Sequence, residues 1–144
     1  MVNDMLAMNA TQARKEWSAV VDSVIREKPQ FIKRTRDYVM LSNMDTLESL
    51  LAAYSFHAVV FAEDDGSVTI SLDEIDLAEN GADEHEAHAK LAQAILEYAE
   101  DYYSDFAYWA RGSRKAHIPY VFKALILNDV EKIGGLIECR RGES

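Results

Sequence analysis

A mixed α+β fold in two small modules is the architecture this sequence predicts. Short apolar runs with strand-like alternation interleave with longer stretches whose apolar residues recur at helical spacing. The charge is divided just as sharply. Residues 1–60 carry seven basic and seven acidic side chains, residues 61–110 carry one and 14, and residues 111–144 carry seven and four. A length of 144 residues leaves room for one ordinary domain or two small ones.

The elements run in order along the chain. Met5–Met8 reads as a short edge strand, and Asn9 or Thr11 can cap the helix after it. From Thr11 to Lys28 the apolar residues Ala13, Trp17, Val20, Val21, Val24 and Ile25 fall on one helical face, and Pro29 ends the helix. Phe31-Ile32 and Tyr38–Leu41 read as two strands joined by the basic tip Lys33-Arg34-Thr35-Arg36-Asp37. Asp45 is the expected cap of a second helix that carries Leu47, Leu50, Leu51 and Tyr54. A domain boundary is expected here, giving modules over 1–54 and 55–144.

The second module opens with the strand His57–Phe61. Asp64-Asp65-Gly66 is a turn in which Gly66 supplies positive φ. Ser67–Leu72 alternates apolar and hydroxyl residues like a half-buried strand, and Leu77–Gly81 reads as a third short strand. Asp83 starts a long helix with Ala87, Leu91, Ala94, Ile95, Tyr98 and Tyr102 on one face. Two short helices are expected over 118–127 and 129–139, with Asp129 as the cap between them. Gly134-Gly135, inside the last of these, marks a bend or close packing.

Several function classes are excluded or disfavoured. Hydrophobic residues make up 49% and charged residues 28%, a globular composition. A single cysteine, Cys139, gives no disulfide framework. No apolar run approaches the ~20 residues that span a bilayer, and the opening residues lack a signal-peptide pattern, so no membrane is expected and the cytoplasm is the expected compartment. His85-Glu86-Ala87-His88 has a spacing that holds metals in some helices, but not the H-E-x-x-H order of zinc proteases. A solvated helix face is the expected reading, with no metal, no cofactor and no catalytic residue. A small enzyme using these histidines and neighbouring carboxylates ranks low.

Two features remain. Lys33, Arg34 and Arg36 crowd the hairpin tip, and Arg14 and Lys15 lie at the start of the first helix. Although the net charge is −10, residues 9–42 hold seven basic against four acidic side chains, so a local field that attracts phosphate survives there. The other feature is the aromatic run Tyr102-Tyr103-Ser104-Asp105-Phe106-Ala107-Tyr108-Trp109 at the end of the acidic block. It reads as packing between helices or as an anchor surface for a protein partner.

Residues 5–54 resemble the N-terminal domain of the Phd/YefM antitoxins. The features that carry the resemblance are a short strand, a capped helix with an alanine-arginine pair (Ala13-Arg14), two strands joined by a basic turn, and a second helix. Gln12 stands where that family usually has Glu, and the turn lacks its usual glycine. Residues 56–103 resemble the partial ribonuclease-H-like fold of HicB antitoxins in their strand, Asp-Asp-Gly turn, strand and long helix. The whole chain is similar to extended RelB-type antitoxins. The resemblance implies a YefM-like β-α-β-β-α module, then a small ββ(β)α module and C-terminal helices. It also implies a homodimer that binds operator DNA and a toxin of the RelE class.

The resulting expectations are specific. The protein is an antitoxin of a type II toxin–antitoxin system, neutralising its toxin by binding and repressing its operon as a dimer; the alternative is a DNA-binding transcriptional regulator with no toxin. Arg14, Lys15, Lys33, Arg34 and Arg36 contact DNA. Tyr102, Tyr103, Phe106, Tyr108 and Trp109 contact the toxin. Trp17, Val20, Val21 and Val24 form the dimer interface.

Overall fold

The computed structural model describes residues 3–143 and divides the chain into two compact units, Met1–Leu50 and Leu51–Ser144. In the first unit a 3-10 turn, Asp4–Leu6, takes the first half of the segment read as a strand, because the Asn3 side chain caps it at the Met5 amide. The strand β1 is shorter, Ala7–Asn9. Asn9 then caps α1 (Ala10–Lys15), its side-chain oxygen accepting from the Thr11 amide at 2.8 Å.

The expected single helix is two. Glu16 leaves helical geometry (φ −109°, ψ 29°), and α2 runs from Trp17 to Arg26. The break changes the phase of the apolar face. Ala13, Val20 and Val24 are buried together with Met8, Ile32 and Leu41 packed on them, while Trp17 and Ile25 are left 52% and 60% exposed.

β2 (Gln30–Arg34) pairs in parallel with β1 and antiparallel with β3 (Asp37–Leu41), so β2 is central. The two-residue turn Thr35-Arg36 puts Thr35 at φ +58°. α3 (Met44–Leu50) is capped by Asn43, whose side chain accepts from the Thr46 amide at 2.8 Å; Asp45, the expected cap, lies in the first turn instead. The helix begins earlier than the apolar pattern suggests, and Asn is among the best capping residues.

The second unit has a larger core. β4 (Phe56–Ala62), β5 (Val68–Leu72) and β6 (Ala78–Gly81) form an antiparallel meander. Gly66 takes φ +88° in the β4–β5 turn, and the Asp65 carboxylate accepts from both the amide and the hydroxyl of Ser67. α4 (Glu84–Ser104) is capped by Asp83 at the Glu86 amide and extends about 31 Å. Its buried face is Ala87, Leu91, Ala92, Ile95, Leu96, Ala99 and Tyr102. This face packs on Phe56, Ala58 and Val60 of β4 and on Ile70 and Leu72 of β5. Gly81 is where β6 meets α4: a Cβ there would lie 2.5 Å from the Ala87 nitrogen.

After α5 (Phe106–Trp109) and a 3-10 turn (Gly112–His117) comes α6 (Ile118–Leu127), with Pro119 in its first turn. Asn128 turns the chain in the left-handed region, φ 44°, and Asp129 caps α7 (Val130–Gly135) at the amides of Glu131 and Lys132. α7 ends at Gly135, not at residue 139. Beyond it the chain forms a strand, β7 (Ile137–Arg141), parallel to β4, giving the sheet order β6-β5-β4-β7. Two glycines in succession terminate the helix. Ile133, Leu136 and Ile137 nonetheless keep helical spacing, which hides the strand in the sequence. Val121, Ala124, Ile133 and Ile137 complete the core, and no polar or charged residue is buried among the described residues.

Candidate functional site

The five basic residues expected to contact DNA lie on α1 and on the β2–β3 hairpin. Arg14 and Lys15 occupy the last turn of α1 and are exposed. Arg14 borders a shallow apolar depression with Ala10, Ala13, Trp17 and Ile32. Arg34 ends β2 and Arg36 sits in the turn, both exposed. Lys33 differs from them. Its ammonium is 3.2 Å from the Asp4 carboxylate and 5.4 Å from the centroid of the Tyr38 ring, and the Tyr38 hydroxyl also bonds Asp4. A cation engaged in this way has less to offer a phosphate than Arg34 or Arg36, whose guanidiniums present planar forks.

The four apolar residues expected at a dimer interface separate. Val20 and Val24 belong to the small core of their own unit. Trp17 is exposed and Val21 half-buried. The first unit exposes many other large apolar side chains, including Met5, Leu6, Ile25, Val39, Met44 and Leu50. That is a large apolar surface beside a core of three buried residues among those described.

The aromatic run of the second unit is part core and part surface. Tyr102 is 0% exposed; its hydroxyl donates to the Arg114 carbonyl at 2.6 Å, so this ring offers nothing to a partner. Trp109 packs against the core, edge-on to Tyr98 and stacked with Tyr102. The Arg114 guanidinium lies 4.8 Å from its ring and 5.0 Å from that of Tyr108. Tyr103, Phe106 and Tyr108 remain on the surface, with Tyr103 61% exposed. Tyr103 and Phe106 both meet Phe122 edge-on, which holds the patch against α6. Glu97, Glu100, Asp101 and Asp105, close to these residues in sequence, are exposed as well.

A polar network built around β4 and β7 has no counterpart in the sequence reading. His57 on β4 holds Glu74 through Nδ1 at 3.0 Å and Glu138 through Nε2 at 3.2 Å, and its own amide donates to Glu74. Beside it the Arg140 guanidinium bonds both oxygens of Asp73, at 2.7 and 3.2 Å. Those bonds push the Asp73 carboxyl below and the Arg140 guanidinium above their usual ranges. Ser55 Oγ is 3.5 Å from His57 Nε2, in the order of a nucleophile, base and acid. Glu138 lies closer to the same nitrogen than Ser55 does, so the ring stands between two carboxylates and the hydroxyl is not its nearest partner there.

His85 and His88 border a groove between α4 and α7 with Ala89, Val130 and Gly134. A Cβ on Gly134 would lie 3.2 Å from the His88 ring, so the glycine lets α7 approach the histidine. Among the described residues no group of three His, Cys, Asp or Glu side chains is arranged to hold a metal ion. No helix among them is long and apolar enough to cross a membrane.

Comparison with known proteins adds two findings. A PHD-like family model, described as the antitoxin of RelE/RelB toxin–antitoxin systems, matches residues 5–139. A crystal structure from Syntrophomonas wolfei subsp. wolfei, described as an antitoxin part of a proposed toxin/antitoxin system, superposes with a TM-score of 0.89. It shares 34% sequence identity over 94% of this chain and 99% of that one. A search of curated proteins finds no match.

Proposed function

This chain belongs to the antitoxin family of RelE/RelB toxin–antitoxin systems, and from that premise we propose that it neutralises a RelE-type toxin by binding it and represses its own operon as a DNA-bound dimer. It acts in the cytoplasm, as a binding protein and not as an enzyme. The observation that carries the reading is the separation of chemistries between its two units. The first exposes Arg14, Arg34 and Arg36, and the second exposes Tyr103, Phe106 and Tyr108 on a stretch of chain rich in exposed carboxylates.

A toxin that cleaves RNA must attract a polyanion, so its working face is basic. An acidic antitoxin surface gains association rate and orientation by complementarity. Tyr103, Phe106 and Tyr108 supply the apolar anchors such an interface needs at its centre. The first unit, with its arginines exposed and the acidic block of residues 61–110 outside it, is the part of the chain a duplex can approach. Its uncovered apolar surface, Trp17 included, is what a second copy would bury.

The test has two arms on the full chain. In the first, Tyr103→Ala/Phe106→Ala/Tyr108→Ala is expressed with the neighbouring toxin, and cell growth is scored. Loss of rescue is expected, and full rescue overturns the toxin assignment. In the second, Arg14→Ala and the pair Arg34→Ala/Arg36→Ala are compared with wild type in gel shifts on the operon's promoter across salt. Each lost phosphate contact lowers the salt slope by about 0.9. No promoter preference in the wild type overturns the repressor role.

A further inference from the structure

The strand β7 is the last of its sheet, and its free edge is built to meet a copy of itself. The Gly142 amide donates to the Val60 carbonyl at 2.8 Å, and Val60 stands beside Arg141 in the parallel ladder. In such a ladder alternate residues of one strand direct both backbone groups to the partner. The amides and carbonyls of Glu138 and Arg140 therefore serve β4, and those of Ile137, Cys139 and Arg141 point away from the sheet. Residues 138–141 are all exposed. At the opposite edge of the sheet, by contrast, the Lys90 ammonium donates to the Asn80 carbonyl of β6 at 3.2 Å, blunting that edge.

The side chains of β7 set a register. An antiparallel copy centred on Cys139 places Ile137 opposite Arg141 of the second copy, Cys139 opposite Cys139, and Glu138 opposite Arg140. The three outward-facing residues then form hydrogen-bonded pairs, each exchanging two bonds. Glu138 and Arg140 fall at the close, non-hydrogen-bonded positions, where cross-strand charge pairs act most strongly. Both project from the same face of the strand, where Arg140 already holds Asp73 and Glu138 meets His57. Both side chains stay exposed, so the mate's carboxylate joins Asp73 at the guanidinium and the mate's guanidinium joins His57 at the carboxylate. Slipping the register by two residues either way puts Arg140 opposite Arg140 or Glu138 opposite Glu138, so one register is favoured.

We propose that two copies of this chain join their second units through antiparallel pairing of the β7 edges, centred on Cys139 and fixed by reciprocal Glu138–Arg140 ion pairs. This contact is separate from any dimer made by the first unit. A strand pair of five residues is small beside the roughly 1,200 Å² of a stable interface, so it is read by trapping rather than by mass. Opposite residues in a hydrogen-bonded pair have Cα atoms about 5.5 Å apart, a distance a disulfide spans.

The full-length protein is treated with copper(II)-phenanthroline and resolved on a non-reducing gel. Wild type is expected to give a Cys139–Cys139 dimer. Glu138→Arg alone and Arg140→Glu alone bring like charges together and should cut the cross-linking rate about tenfold. The double exchange Glu138→Arg/Arg140→Glu restores complementarity and should restore the rate. Arg141→Pro removes an outward amide that β4 does not use. It should block cross-linking with an unchanged far-UV circular dichroism spectrum. A wild type that does not cross-link, or equal cross-linking in all five proteins, overturns the proposal. A foreign strand holding this edge instead would show as the same missing product.

Discussion

The Tyr98 hydroxyl lies 2.7 Å from Nδ1 of His117, tying the middle of α4 to the turn that leads into α6. With the phenol donating, that nitrogen must be unprotonated. Both groups are shifted in the sense that keeps them neutral. Burial, and then the charge of Arg114, holds His117 below its ordinary value of 6.5, and burial raises Tyr98. Below pH 6.5 the unfolded chain therefore takes up a proton at His117 before the folded chain does. Stability from this pair is complete above that pH and is lost as pH falls through 6.5 toward the folded value. Urea midpoints at about pH 7.5 and about pH 5.5 should show a decline that His117→Asn flattens. Parallel pH profiles for the two proteins would refute the role.

The aromatic run divides into residues that hold the fold and residues that do not. Tyr102→Phe removes the bond to the Arg114 carbonyl and should cost about 1 kcal/mol; Tyr102→Ala should cost about 3–5 kcal/mol. Tyr103→Ala, at a 61% exposed site, should stay within about 0.5 kcal/mol of wild type. Toxin capture should show the reverse order, with Tyr103→Ala weakening it and Tyr102→Phe leaving it intact. Thermal melts beside a pull-down with the toxin separate the two effects. A Tyr102→Phe protein that folds but fails to capture toxin would contradict the assignment.

Gly81 closes the end of β6 against the first turn of α4. The missing Cβ would sit 2.5 Å from the Ala87 nitrogen and 3.0 Å from its Cα, both backbone atoms that cannot swing aside. Gly81→Ala must move the strand or the helix and should cost about 1–3 kcal/mol. Gly135→Ala has open space around it and serves as the control. Denaturation of the two variants measures the difference, and equal stabilities would mean that α4 does not approach β6 as described.

The local features of the fold are legible in the sequence: the Asp-Asp-Gly turn, the Asp83 and Asp129 caps, the strands around Val59, Ile70 and Asn80, and the buried stripe through Leu91 and Ile95. Each depends on residues within a turn or two of one another. β7 is hidden because its pairing with β4 spans about 80 residues, and because Ile133, Leu136 and Ile137 imitate a helix. The break at Glu16 is hidden because the apolar spacing carries across it. The cluster of His57, Glu74, Glu138, Asp73 and Arg140 exists only once β7 is in the sheet, so no local spacing could announce it. The Tyr102–Trp109 run is visible as chemistry. Which rings face inward depends on where α4 ends and how Arg114 folds back over Trp109.

The hairpin that presents Arg34 and Arg36 turns through Thr35 at φ +58°. A β-branched residue in the left-handed region is uncommon, because its Cβ crowds the next carbonyl, at a cost of about 1–2 kcal/mol. The register leaves no alternative. Arg34 pairs with Asp37, so only Thr35 and Arg36 are available to reverse the chain, and a tight two-residue reversal that matches strand twist needs positive φ. Glycine adopts that conformation without strain but loses more entropy on ordering. The balance favours Thr35→Gly by about 0.5–1 kcal/mol, and Thr35→Asn should also gain, since Asn tolerates the left-handed region. Thr35→Pro fixes φ near about −65° and should unfold the tip. If arginines on a tight tip grip phosphates, Thr35→Gly should leave promoter affinity and its salt slope near wild type, because it changes neither charge nor register. Chemical denaturation of the three variants, then gel shifts on those that fold, measures both consequences. A Thr35→Gly protein less stable than wild type would show that the chain does not reverse at Thr35 as described.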